Sequence, residues 1–505
     1  MINTLFRRLA THRFCQHSRH ILPVPCIQQW RQKSTRATPP PPPPAPPPPP
    51  QPRARARRDV KPKTSVESNW QQRTESFPQD KAEDFKKYPL VTADDLRARE
   101  ERPKRVKMLM RDFIEDSLYN PQYGYFSKNV TIFNAGEPFD FNNIKGEPEF
   151  NRILGERYTQ FEDKLDEQEY NEARQLWHTP TELFRPYYAE AIARYMVANY
   201  KLSLFPYHDL LIYELGAGNG TLMLNILDYI RHTDPDVYAR TRFRIIEVST
   251  ALTHLQTAAA SRGHSDKVEI INRSIFDWTT YVPNHCFFLA LEVFDNFAHD
   301  VIRYDPFTSE PLQGQVLIDA EGDFYEFYTR QLDPVASRYL RVRDVACRDR
   351  RYPHPLNGPQ ILRKLRHRLP MAPNLTEPEY IPTRLLDFFH ILSRSFPLHR
   401  LITSDFHSLP NATPGINSPV VQTRYQRRTV LVRTPLVQQG YFDILFPTDF
   451  GVMEDVYRAV TGRLTRVMGH EEFFTGWADV EATRMQSGEN ALLSLYKNAS
   501  VMVTV

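Results

Sequence analysis

The sequence predicts an α/β fold: a doubly wound, mostly parallel sheet, interrupted by an inserted α+β subdomain and preceded by a disordered N-terminus. Three observations carry this. Short apolar runs at Leu210–Leu215, Phe243–Val248, Val268–Asn272 and Cys286–Asn296 alternate with helical text, as the strands of a buried parallel sheet do. Three glycines at alternate positions, Gly216, Gly218 and Gly220, cut off the first run before a helix begins. Residues 303–398 break the alternation with a hairpin from Gln315 to Tyr328 and Arg-rich helical text. Strands at Arg400–Phe406 and Thr429–Arg433 then resume it, and Gly440–Phe450 reads as the last sheet strands and their turn.

Residues 1–37 carry Arg, His, Gln and Ser with no acid, and Leu5, Phe6 and Leu9 stand against Arg7, Arg8 and Arg13. This is the composition of a mitochondrial transit peptide; a basic RNA-binding arm is the competing reading. Pro39–Pro52 is nearly all proline and reads as a polyproline II spacer within a disordered linker, residues 38–85. An N-terminal helical region follows at 86–200, in which residues 127–177 read as an insertion. Thr179-Pro180-Thr181-Glu182 then opens a helix running to about Tyr200, with Thr179 as N-cap and Glu182 at the third position of the turn. The first half of the core spans 201–302, the inserted subdomain 303–398 and the second half 399–505.

Charge and cysteine usage exclude several classes. Residues 1–58 hold eleven Lys or Arg and no acid, so the remainder carries 53 basic against 60 acidic residues, or −7. A mildly acidic folded part argues against nucleic-acid binding as its main task. The four cysteines, Cys15, Cys26, Cys286 and Cys347, form no CxxC or Cys/His cluster, so no metal site is expected. No apolar run approaches the ~20 residues of a membrane span.

The glycine stretch distinguishes between nucleotide-type ligands. Glycine supplies unusual backbone angles and lets a ligand approach the main chain. The dinucleotide fingerprint is G-x-G-x-x-G; here Thr221 stands where its third glycine would fall, and no Lys-Ser/Thr follows as in a P-loop. Glu214-x-Gly216-x-Gly218-x-Gly220 instead resembles the first motif of class I S-adenosylmethionine-dependent methyltransferases. Glu247 ends the second apolar strand, where an α/β sheet can bind ribose hydroxyls.

The wider pattern resembles the MidA-type methyltransferases. Five stretches carry the likeness: Asp112-Phe113 to Asn120-Pro121 with Gly124-Tyr125-Phe126; Thr179 to Glu182; the Glu214–Thr221 loop with Glu247-Val248-Ser249; Glu292-x-x-Asp295; and Ser404-Asp405-Phe406 with Pro447-Thr-Asp-Phe. Three departures fall at the substrate end. Residues 127–177 intervene where the family passes through Gly-Asp-Phe, the Pro-Glu motif is stretched to Pro-Thr-Glu, and Leu291-Glu292 replaces Asn-Glu.

The resemblance implies a class I, Rossmann-like methyltransferase fold with S-adenosyl-L-methionine as cofactor. It also implies protein arginine methylation in the mitochondrial matrix in support of respiratory complex I assembly, with a protein substrate. Glu214, Gly216, Gly218 and Gly220 then form the cofactor loop, Glu247 takes the ribose and Asp277 contacts adenine. Guanidinium stays protonated, so carboxylates are needed to grip its fork; Glu292, Asp295 and Glu182 are the candidates. Structural caps and turns are the competing readings for these acids, and for Asp277. Two other functions compete: a catalytically inactive cofactor-binding scaffold, and an RNA or small-molecule methyltransferase. The missing Pro-Pro-aromatic motif after the fourth strand disfavours the latter.

Overall fold

The computed structural model describes residues 74–76 and 79–505, except 129, 370 and 371. The expected transit peptide and nearly all of the linker lie outside the described residues. Described elements begin earlier than the expected boundary at 85: Thr74–Ser76 pairs in parallel with Phe324–Glu326, and a helix spans Ala82–Lys87.

The apolar runs build a seven-stranded sheet. In chain order its strands are β1 (Leu210–Leu215), β2 (Thr241–Glu247), β3 (Val268–Asn272), β4 (Cys286–Leu291), β5 (His399–Phe406), β6 (Thr465–Gly469) and β7 (Ala499–Thr504). Their spatial order is β6-β7-β5-β4-β1-β2-β3. The run from β5 to β3 is parallel, and β7 is antiparallel to both β5 and β6. Side chains alternate between two cores, as the period of a strand requires. Leu210 and Ile212 of β1 and Phe287 and Leu289 of β4 enter the core beneath helices Tyr187–Ser203 and Thr221–Thr233. Tyr213, Leu215, Phe288 and Ala290 face helices Thr383–Ser395 and Phe450–Thr461. The sheet is therefore covered on both faces, and its strand ends are left for a site.

Several expectations are corrected. Thr429–Arg433 is not a core strand: Arg428–Val432 pairs with Val420–Tyr425, which pairs with Asp443–Leu445, in a separate three-stranded sheet. The last sheet strands are β6 and β7, not residues 440–450. The inserted subdomain does not end at 398, because helix Thr383–Ser395 is the crossover that packs on the core before β5. It also does not fold from its own residues alone: Val106–Leu109 pairs with Gln315–Ile318, and Asp300–Tyr304 pairs with Pro311–Gln313 and Glu379–Ile381. The helix expected from Thr179 to Tyr200 breaks at Phe184–Pro186 into Pro180–Leu183 and Tyr187–Ser203.

Residues 127–177 are built into the core. Val130–Ile132 pairs with Gln175–Trp177, and Glu147–Gln168 forms a long helix. Phe133, Phe139, Phe141 and Phe150 are buried in the core that also holds Leu222 and Met223. The helix is tied to the three-stranded sheet by Glu162 and Arg424, both buried, at 2.8 and 3.1 Å in a two-pronged pair. Removing one partner leaves a buried charge uncompensated. Glu162→Ala should therefore lower unfolding stability by about 3 kcal/mol in a denaturant titration; a loss below ~1 kcal/mol would show that the pair is solvated.

Candidate active site

At the end of β1 the backbone turns left-handed three times, with φ of +68° at Gly216, +53° at Gly218 and +78° at Gly220. Gly220 is also the N-cap of helix Thr221–Thr233, so the loop delivers the chain directly into a helix N-terminus. A Cβ at Gly218 would lie 2.7 Å from Ile132 Cδ1. The loop is thus contacted from one side by the inserted segment.

Three acids surround this loop. Glu214, buried on β1, has one carboxylate oxygen, Oε2, with no partner, and burial together with nearby Glu247 pushes its pKa up to about 8. Glu247, also buried, accepts Ser249 N–H at 2.9 Å and Gln256 Nε2–H at 2.9 Å. Burial raises its pKa, and these donors oppose the rise. Gln256 Nε2 also donates to Gly218 O at 3.0 Å, so one amide ties the acid of β2 to the glycine loop. Glu182 does not complete a capping box. Thr179 Oγ1 caps the Glu182 N–H, but the carboxylate accepts from Thr221 Oγ1 at 2.6 Å and Asn219 Nδ2 at 3.0 Å, while buried Oε2 has no hydrogen bond and faces Arg185 Nη1 at 3.8 Å. Asp277 follows β3 in a short 3-10 turn, and its half-exposed carboxylate accepts from Arg97 Nη1 at 3.0 Å.

A second set of acids stands at the ends of β4 and β5. Glu292 adopts φ +54°, a region sparsely populated by non-glycine residues and found where surroundings over-determine the backbone. Its N–H donates to Ser404 O of β5 at 2.9 Å. Asp405 Oδ2 accepts the N–H groups of Phe294 (2.8 Å) and Asp295 (3.2 Å), which clasps the turn after β4 onto β5. Asp295 is 3% exposed and its Oδ1 has no partner. Burial, with Asp405, Asp443 and Glu292 nearby, holds its pKa far above the carboxylate range. Burial and Asp405 push Glu292 to about 8; burial brings Asp405 and Asp443 to about 7. The two sets adjoin, since a Cβ on Gly216 would lie 3.5 Å from Val293 Cγ2.

Sequence reasoning missed Gln256, Asn219, Asp443 and the clasp role of Asp405. It also missed Tyr119, whose hydroxyl donates to Asn296 O at 3.2 Å and whose pKa is raised well above its ordinary value by burial, then by Glu115 and Asp295. Asn219 and Thr221 lie inside the motif and were within reach; Gln256 reads as an ordinary helix-surface amide. Among the described residues no group of three or more His, Cys, Asp or Glu could hold a metal ion, and no helix is long and apolar enough to cross a membrane.

The residues fit S-adenosylmethionine: a left-handed loop that admits close approach, an orphaned buried carboxylate oxygen at Glu214, and an acid fixed at the end of β2. A family model described as "Putative S-adenosyl-L-methionine-dependent methyltransferase" matches residues 191–468. The chain belongs to this family. Its cofactor is S-adenosylmethionine, and its fold is that of the class I methyltransferases. A Schizosaccharomyces pombe protein named protein arginine methyltransferase NDUFAF7 homolog, mitochondrial, is 25% identical over 392 residues, 74% of this chain and 80% of that protein. A crystal structure of a COG1565 superfamily member from Burkholderia thailandensis, bound to S-adenosyl-homocysteine, aligns with TM-score 0.50 and 13% identity over 79% of this chain and 88% of that one. A native crystal structure from the same superfamily and organism aligns with TM-score 0.47 and 15% identity, over 79% and 87% of the two chains.

Two outcomes are expected. In calorimetric titration of the methyltransferase with S-adenosylmethionine, Gly218→Val should abolish binding and Gln256→Ala weaken it about tenfold, or ~1.4 kcal/mol; full affinity in Gln256→Ala would remove the Glu247–Gln256–loop link from cofactor binding. The second concerns pH. The folded pKa of Glu214, about 8, exceeds its ordinary value of 4.5. The stability this group contributes is therefore present below pH 4.5 and lost as pH rises through 8. Glu214→Gln should raise the Tm of the cofactor-free protein at about pH 9, by at least ~2 °C, while leaving it nearly unchanged near pH 4.

Proposed function

We propose that this S-adenosylmethionine-dependent methyltransferase acts on protein arginine in the mitochondrial matrix, in support of respiratory complex I assembly. The observation that carries the reading is the pair Glu292 and Asp295 beyond the end of β4. Asp295 Oδ1 is buried and unpartnered, next to an acid held in a strained conformation. Such an oxygen lacks a cation or N–H donor, and a guanidinium supplies both. The S. pombe relative carries arginine methyltransferase and mitochondrial in its name. The acid-free, Arg-rich residues 1–37 agree with that compartment.

When bound, S-adenosylmethionine supplies an electrophilic methyl group on a sulfonium, in line for displacement. In this reading Glu214 and the Gly216–Gly220 loop seat it, Glu247 takes the ribose, and Glu182 braces the loop through Thr221 and Asn219. Asp295 and Glu292 hold the guanidinium fork and fix its charge away from the attacking nitrogen. One of them accepts the proton that nitrogen gives up. Their raised pKa values suit a group that must take a proton near neutral pH.

The test is methyl transfer to recombinant complex I subunits, with the modified residue identified by mass spectrometry. Glu292→Gln and Asp295→Asn should each lower kcat by at least ~100-fold while cofactor affinity stays within about threefold. Because the gripping acids must be ionised, kcat/KM should rise with pH through about 8, and Glu292→Gln should flatten that rise. Methylation at a residue other than arginine would overturn the substrate reading. Cofactor binding with no transfer to any subunit would leave an inactive assembly scaffold.

A further inference from the structure

The sequence from Arg350 to Thr376 holds six Lys or Arg and no acid, in a protein whose folded part is otherwise mildly acidic. Within it lies the short helix Gln360–Arg366, followed by a turn to Leu369. Ile361, Leu362 and Leu365 share one face of the helix, and Leu369 in the turn continues the spacing. All four point to solvent, at 81, 62, 60 and 60% exposure. Scattered exposed aliphatics need no explanation, but four along one stripe, beside Lys364 and Arg368, form a contiguous patch ringed by positive charge.

A second feature adjoins the helix. A cleft of about 870 Å³ is lined by Arg341, Arg343, Arg351, Tyr352, His354 and Leu356. Arg363 of the helix donates to Leu356 O and, at 3.1 Å, to Ser309 Oγ, both on the wall of that cleft. Arg341 and Arg351 are exposed and form no ion pair among the described residues. The buried Arg343 at the cleft is paired with Glu379 at 2.6 Å and, through Nε at 3.9 Å, with Asp344, an acid that also lines the cleft. Arg341 and Arg351, cations without counterions, thus line a cleft that Arg363 of the helix borders, while the uncovered aliphatic side chains lie on other sides of that helix.

We propose that this face docks on an anionic phospholipid surface. Ile361, Leu362, Leu365 and Leu369 enter the boundary between headgroups and acyl chains, and Lys364 and Arg368 beside them meet lipid phosphates. The chemistry favours lipid over a protein partner. The patch is purely aliphatic, like acyl chains, whereas protein–protein hot spots favour Trp and Tyr, with Leu under-represented. Amphipathic helices with a basic polar face lie in the interface plane, and each juxtamembrane cation adds attraction to anionic lipid. Attachment of this kind is peripheral and leaves the strand ends of the core open to substrate.

The test is co-sedimentation of the full chain with vesicles of phosphatidylcholine alone or containing about 30% phosphatidylglycerol. Binding should require the anionic lipid and weaken as salt is raised from about 0.1 to about 0.5 M. The double variants Leu362→Asp/Leu365→Asp and Lys364→Glu/Arg368→Glu should each lower binding at least ~10-fold, with Tm and cofactor affinity unchanged because the side chains lie outside the core. The eleven basic residues of positions 1–58 can also attract anionic vesicles. Binding that persists undiminished in both variants assigns it to that segment and overturns the proposal. So does an absence of binding by the folded wild-type chain, which leaves the face to a protein partner.

Discussion

Carboxylates buried without a countercharge constrain everything at the strand ends. Glu214, Glu247, Asp295, Asp405 and Asp443 are each nearly inaccessible, and among the described residues none of them forms an ion pair. Burying an ionised carboxylate alone is costly, and the group either finds donors or keeps its proton. The chain uses both solutions. Asp405 takes backbone N–H groups from the turn after β4, and Glu247 takes Ser249 N–H and the Gln256 amide. Asp295 and Glu214 keep unpartnered oxygens and raised pKa values. The geometry of the turn after β4, the seating of helix Thr250–Ala260 and the conformation of the glycine loop all follow from where these acids find hydrogen bonds.

The inserted segment shows a second use of the glycine loop. A left-handed backbone needs glycine, but Gly218 has a further reason to lack a side chain, because Ile132 fills the place where a Cβ would stand. The loop is thus shaped from both sides, by a strand of the core and by residues outside the core topology. Phe139 and Phe150, with ring centroids 5.0 Å apart, and Phe141 against Phe184 at 6.0 Å extend this contact into the main core. Residues 127–177 are structural neighbours of the cofactor loop even though they lie far from it in sequence.

Much of this was legible in the chain, and the limits have physical causes. β1 to β5 announce themselves as apolar runs because both faces of a parallel sheet are buried, and the glycines and Glu247 stand at fixed offsets from those runs. β7 and β6 were not read, since they pair antiparallel at the sheet edge and β6 alternates with exposed residues such as Arg466. Residues 429–433 have the composition of a core strand, yet Arg428–Leu431 is exposed in a small sheet, because propensity cannot say which partner a strand meets. At the strand ends, the candidate acids stand inside motifs visible in the chain, whereas Gln256 and Tyr119 carry no such signal. Their importance lies in contacts between positions far apart in sequence, Gln256 with Gly218 and Tyr119 with Asn296.

The acids divide by strand, and the division separates two electrostatic tasks. On β2 the Glu247 carboxylate, gripped by Ser249 N–H and the Gln256 amide, suits neutral hydroxyls, which require an acceptor in a set position rather than a charge that moves, whereas Glu214 on β1 keeps an unpartnered oxygen. On β4 and β5 the acceptors are close together, raise one another's pKa, and in Asp295 leave an oxygen without any donor. Like charges at that distance resist joint ionisation, so the second set stays partly protonated until a cation arrives. Under the proposed arginine reading, a guanidinium entering there would stabilise the ionised forms.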